Sequence, residues 1–87
     1  MTKTYRRNNN VTEKTVDDAV FLAHPETGGL YQMNTTGRAL WAILETGTTL
    51  KEAVKTLTSA FPNEDPASIA EDVGTILADM EQNDLIA

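Results

Sequence analysis

The switch of period at Asn34 constrains this chain most. Before it, Leu30-Tyr31-Gln32-Met33 is a four-residue apolar and aromatic run of strand length. After it, Leu40, Trp41 and Leu44 recur at three-to-four spacing, with Ile43 widening the stripe, as one face of a helix requires. Asn at the junction suits a helix N-cap, because its side-chain oxygen accepts an otherwise orphaned N–H of the first turn. A chain with this junction places strands first and helices after it, with one core shared between them.

The N-terminal half reads as strands. Residues 11–16 are a weak strand candidate and Asp17-Asp18 a turn. Ala19-Val20-Phe21-Leu22-Ala23 is apolar throughout, long enough for a strand and too short for a helix. Pro25-Glu26-Thr27-Gly28-Gly29 is turn chemistry, so the second and third strands form a hairpin. The C-terminal half reads as three helices. The first covers about residues 35–45 and stops at Gly47. Thr49-Leu50-Lys51-Glu52 has the form of a capping box and opens the second, which runs to about Ala60 with Leu50, Val54, Leu57 and Phe61 on one face. Asp65-Pro66 reads as N-cap and N1 of the third, which runs to about Gln82 with Ile69, Val73, Ile76, Leu77 and Met80 as its stripe. Leu85-Ile86 closes against the core. The predicted class is α+β, winged helix-turn-helix-like: a three-stranded antiparallel sheet followed by three helices. Residues 1–10 are polar and read as a flexible basic arm, leaving residues 11–87 as one domain.

Several function classes are disfavoured by content. Without Cys there is no disulfide framework, thiol chemistry or zinc-thiolate site, which fits a cytoplasmic protein. No apolar run approaches the ~20 residues of a membrane span, and no signal-peptide core follows the basic start. The lone His24 reads as a surface turn residue, and the carboxylates of the third helix as a solvated face, so neither a catalytic site nor a metal or cofactor site is expected. A winged helix-turn-helix outline raises DNA binding as the alternative function. Charge argues against it: net charge is −6, and residues 63–87 hold seven acidic side chains and no Lys or Arg. No nucleic-acid or membrane partner is expected.

Met33-Asn34, then Trp41 and Leu44, then Asp72-Val73 and Leu85-Ile86, resemble the small PqqD-like proteins of peptide-modification pathways. The resemblance covers roughly residues 16–87, with Met33 where the family usually has Leu. It implies a stand-alone, non-catalytic module, without a fused catalytic domain after Leu85. The module's role would be to bind the leader of a ribosomally made precursor by β-strand addition. It would then deliver the leader to a modifying enzyme: a leader peptidase in the lasso-peptide case, a radical SAM enzyme in the pyrroloquinoline quinone case. In the family the third strand is the receiving edge and the third helix the facing wall. Carried over, the edge is Leu30, Tyr31, Gln32 and Met33, and the wall is Asp72, Ile76, Asp79, Met80 and Asn83. Helical spacing puts Ile76 and Met80 on the apolar stripe, where they serve core and groove floor equally well, and Asp72, Asp79 and Asn83 along its border. Tyr31 fits packing under the sheet or display to a ligand, whereas Trp41 reads as core. Such a module is expected to be a monomer or a weak dimer paired through open strand edges.

Overall fold

The computed structural model describes residues 3–87. In chain order the elements are β1 (Thr4–Tyr5), β2 (Thr12–Val16), β3 (Ala19–Ala23), β4 (Leu30–Met33), α1 (Thr35–Leu44), β5 (Thr48–Thr49), α2 (Leu50–Ala60) and α3 (Pro66–Gln82). Strands β2, β3 and β4 form an antiparallel sheet in that order, and the three helices pack on one of its faces. The α+β class is therefore as the sequence predicts.

Both hairpins follow from their turn residues. Asp17 adopts φ 55° in the two-residue turn between the paired Val16 and Ala19, a left-handed position that Asp tolerates. Gly28 takes φ 70° in the second turn and donates its N–H to the His24 carbonyl at 2.9 Å. His24 corrects its reading as a surface residue, for it is only 7 % exposed. Its Nδ1 accepts the N–H groups of Glu26 and Thr27 at 3.2 and 3.4 Å, supplying an acceptor that the turn backbone otherwise lacks.

Register assigns the two faces of the sheet. Thr15, Val20 and Met33 lie across from one another, as do Glu13, Leu22 and Tyr31, on the face toward the helices. Val20, Leu22 and Met33 are buried there. The other face, with Lys14, Phe21, Gln32 and Leu30, carries no covering layer among the described residues, and Leu30 is 65 % exposed.

Asn34 caps α1 as expected, its Oδ1 accepting from Gly37 N–H at 2.7 Å. Gly37 permits that close approach, because a Cβ there would sit 3.2 Å from the same oxygen. Thr49 caps α2, its Oγ1 accepting the Glu52 N–H at 3.1 Å and donating to the Glu52 carboxylate at 3.0 Å, so the Glu52 side chain bonds the Thr49 hydroxyl and not its backbone N–H. Asp65 caps α3 through Ala67 N–H at 3.0 Å, with Pro66 at the first helical position. The stripe of α3 is buried as predicted, and so are Leu85 and Ile86. The stripe of α2 packs inward at three of its four predicted positions, Leu57 buried and Val54 and Phe61 partly buried against the core; Ala53 is buried beside Leu57, while Leu50, the first residue of the helix, is exposed.

Residues 1–10 differ from a flexible arm wherever they are described. Thr4 and Tyr5 pair with Thr49 and Thr48 of β5, and Arg7 bridges Ile86. Asn8 N–H donates to Leu85 O at 3.0 Å, and Ala87 N–H to Arg6 O at 2.9 Å. Lys3 pairs with Glu81 on α3. Arg7 stacks 4.6 Å above the Trp41 ring and donates from Nε to the Trp41 carbonyl at 2.8 Å. The N-terminal segment thus clasps the C-terminal residues onto α1. Met1 and Thr2 lie outside the described residues.

Candidate functional site

One long edge of the sheet, β4, has no strand beside it among the described residues. The hairpin fixes which of its backbone groups are free. His24 N–H donates to Gly29 O at 3.0 Å, so hydrogen-bonded pairing falls on His24 with Gly29. Antiparallel alternation then makes Leu22 with Tyr31, and Val20 with Met33, the pairs that bond across β3 and β4. The N–H and C=O groups of Leu30 and Gln32 therefore point to the open side. A strand added there gains main-chain bonds at Leu30 and Gln32. The residue it places opposite Tyr31 points to the helical face.

Helix α3 borders that face. Tyr31, half-buried, and Ile76, 7 % exposed, give an apolar surface to a cleft of about 250 Å³. Glu71, Asp72 and Asp79 rim it, so its potential is negative. Burial first, and the Asp79 carboxylate second, raise the Tyr31 phenol above its ordinary pKa, so it stays a neutral donor. A smaller recess of about 30 Å³ lies beyond Tyr31, between the hairpin turn and Asn83 with Leu85. The arrangement offers main-chain pairing, an apolar contact and an acidic rim. It suits an extended segment with apolar and basic side chains.

The residues singled out in the sequence are only partly brought together. Tyr31, Asp72, Ile76 and Asp79 line the larger cleft. Leu30 and Asn83 line the smaller recess, and the Asn83 amide donates to Asp79 O at 2.7 Å as α3 ends. The side chain of Gln32 lies on the uncovered face of the sheet. Met33 and Met80 are buried, Met80 completely. Met80 does not floor the cleft, because the stripe position it occupies turns toward the shared core. Glu71 and Thr75 also line the cleft without being singled out by the sequence, and so does Asn34, which the sequence marks only as a helix cap. The spacing of Glu71 and Thr75, four apart and one residue before Asp72 and Ile76, is the signal that places them on that flank. Among the described residues no helix is long and apolar enough to cross a membrane.

Comparison with known proteins places these features in a group. Three solved structures share the fold. A structure of TbiB1 in complex with the TbiA(beta) leader peptide is 23 % identical, with TM-score 0.76 and 93 % of each chain covered. A lasso peptide synthetase B1 complexed with the leader peptide is 17 % identical, with TM-score 0.76, covering 95 % of this chain and 96 % of the other. The PqqD truncation of Methylobacterium extorquens PqqCD, described as a functional and stand-alone recognition element, is 19 % identical. Its TM-score is 0.73, and 97 % of this chain and 88 % of the other are covered. No curated protein sequence matches. The model of the family described as coenzyme PQQ synthesis protein D (PqqD) matches residues 19–86, from the first residue of β3 to the end of the core. With that match spanning most of its length, the chain belongs to the PqqD family.

Proposed function

We propose that this chain is a non-catalytic recognition element. It captures the leader of a ribosomally synthesised precursor peptide as a strand on β4 and delivers it to a modifying or processing enzyme. The observation that carries this reading is the open β4 edge facing α3 across an apolar cleft with an acidic rim. The likeness to two structures described as holding leader peptides supports it. In this reading Leu30 and Gln32 supply backbone groups, and Tyr31 with Ile76 the apolar contact. Asp72 and Asp79 form the rim with Glu71, Asn83 borders the smaller recess at the end of the groove, and Met33 and Met80 hold both walls from beneath. The binding unit is residues 11–87, clasped by the N-terminal segment. The receiving enzyme is a leader peptidase or a radical SAM enzyme, and the setting is the cytoplasm. DNA reading gains nothing from the geometry, since α3 carries no Lys or Arg to meet phosphates.

Fluorescence polarisation with labelled leader and core fragments of a precursor encoded beside this chain tests the function. The leader binds and the core does not; equal affinity for the two overturns the reading. The rim has its own test. Asp72→Asn/Asp79→Asn weakens leader binding a few-fold to about tenfold and flattens its salt dependence, since exposed ion pairs contribute ~0.2–1 kcal/mol each. Unchanged affinity at low and high salt would show that the two carboxylates are merely solvated.

A further inference from the structure

The opposite edge of the sheet borders a second and larger cleft, of about 590 Å³. Glu13 and Thr15 of β2 stand on one side of it and Arg38 of α1 on the other. The buried side chains of Val20, Met33 and Trp41 form its floor. Two guanidinium groups with donors to spare gather here. Arg38 is exposed and joins no ion pair among the described residues. Arg7 commits Nε to the Trp41 carbonyl, and its Nη2 lies 4.0 Å from Glu13 Oε1, longer than a hydrogen bond. The Trp41 indole N–H, beneath this floor, is closed off from solvent and has no acceptor among the described residues, so it serves as a reporter of the cleft. Two of the chain's seven cationic side chains thus meet at one apolar floor, on a protein of net charge −6. The ligand that fits is a carboxylate on an apolar stem.

The edge beside the cleft says how that carboxylate arrives. All five residues of β2 are exposed, and among the described residues no strand covers its outer side. The alternation that turns Leu22 toward β4 turns Ala19, Phe21 and Ala23 toward β2, where they meet Val16, Lys14 and Thr12. Glu13 and Thr15 therefore direct their N–H and C=O groups to the open side. Their side chains already line the cleft. A residue directly opposite either one in an added strand lies on the same face, so its side chain enters the cleft toward Arg38.

We propose that β2 and this arginine-lined cleft form a second docking site, which receives an extended, carboxylate-bearing segment of a partner protein. The site lies on the side of the sheet away from β4. It rests on the leader reading only in that the partner is then the enzyme to which the leader is delivered. The two edges select opposite charge: the acidic rim beside β4 disfavours an acidic segment, and Arg38 with Arg7 favours it. An arriving carboxylate displaces Glu13 from its long contact with Arg7.

The test uses the isotopically labelled full chain and two blocked pentapeptides, Thr-Val-Glu-Val-Thr and the same sequence with Gln in place of Glu, followed by NMR. The Glu peptide shifts the Glu13 and Thr15 amides and the Trp41 indole N–H, and the Gln peptide binds about tenfold more weakly. In Arg38→Gln, an exposed substitution whose spectrum reports that the fold is kept, the two peptides bind alike. Four results overturn the proposal: no shifts, equal binding of the two peptides to the natural chain, shifts confined to Leu30–Met33, or sodium acetate reproducing the indole shift while the β2 amides stay still. Leader binding is read separately, at Leu30–Met33, so failure at one edge is not failure at the other.

Discussion

Gln32→Pro lowers leader affinity by at least tenfold while the domain stays folded. Gln32 is the middle of the open edge, and its N–H points away from β3 by the alternation that His24 and Gly29 set. Proline removes that donor and puts a ring where the added strand must approach. One lost main-chain bond accounts for about 0.5–1.5 kcal/mol, and the steric clash adds to it. The pairing of β3 with β4 is spared because it uses Tyr31 and Met33, and proline is tolerated on an edge whose N–H faces solvent. Tyr31, which would precede the new proline, is already in extended backbone, as proline demands of its neighbour. Gln32→Ala, which keeps the N–H, binds the leader as the natural chain does. Polarisation titration of both variants checks this. A folded Gln32→Pro that binds normally would remove β4 as the receiving edge.

Trp41→Ala carries the largest expected loss of stability. The ring is 3 % exposed, packs in the shared core and supports the stacked Arg7 on its other side. Truncating a buried Trp typically costs about 3–5 kcal/mol. A domain of this size has only about 5–15 kcal/mol in all. Each kcal/mol corresponds to about 4–8 °C in Tm, so Tm falls by more than about 10 °C. Trp41→Phe retains most of the burial and removes the unpaired indole N–H, so its loss is much smaller. Thermal and urea unfolding distinguish the two variants. Equal, small losses in both would mean that the ring is not central to the core.

What the sequence reveals and what it hides divides along physical lines. Asn34, Thr49 and Asp65 cap their helices as predicted, because capping depends on one side chain and the amides two or three residues on. Residues 19–23 and 30–33 are strands as predicted, their ends marked by turn chemistry. The β1 and β5 ribbon is invisible in sequence, for two-residue strands have no period and bond through backbone alone. The burial of His24 is hidden for a similar reason: its partners are backbone amides, which no residue type announces. Leu50 is exposed although Ala53, three residues on and on the same face, is buried, because Leu50 is the first residue of α2, and spacing alone does not say how far along a helix its contact with the core extends. At the candidate site the acidic border of α3 is legible from helical spacing, whereas the burial of Met80 depends on tertiary packing. Which edge amides are free is set by hydrogen-bond alternation, and that follows from the hairpin's closing bond rather than from any side chain.

The central claim is that a leader joins β4 as a strand, and amide hydrogen exchange with and without the leader tests it residue by residue. Leu30 and Gln32 have open-side amides and gain protection on binding. Tyr31 and Met33 are already bonded to β3 and change much less. Alternating protection along this one strand is the expected result. Protection confined to β2 or to α2, with Leu30 and Gln32 exchanging as freely as before, would contradict the account.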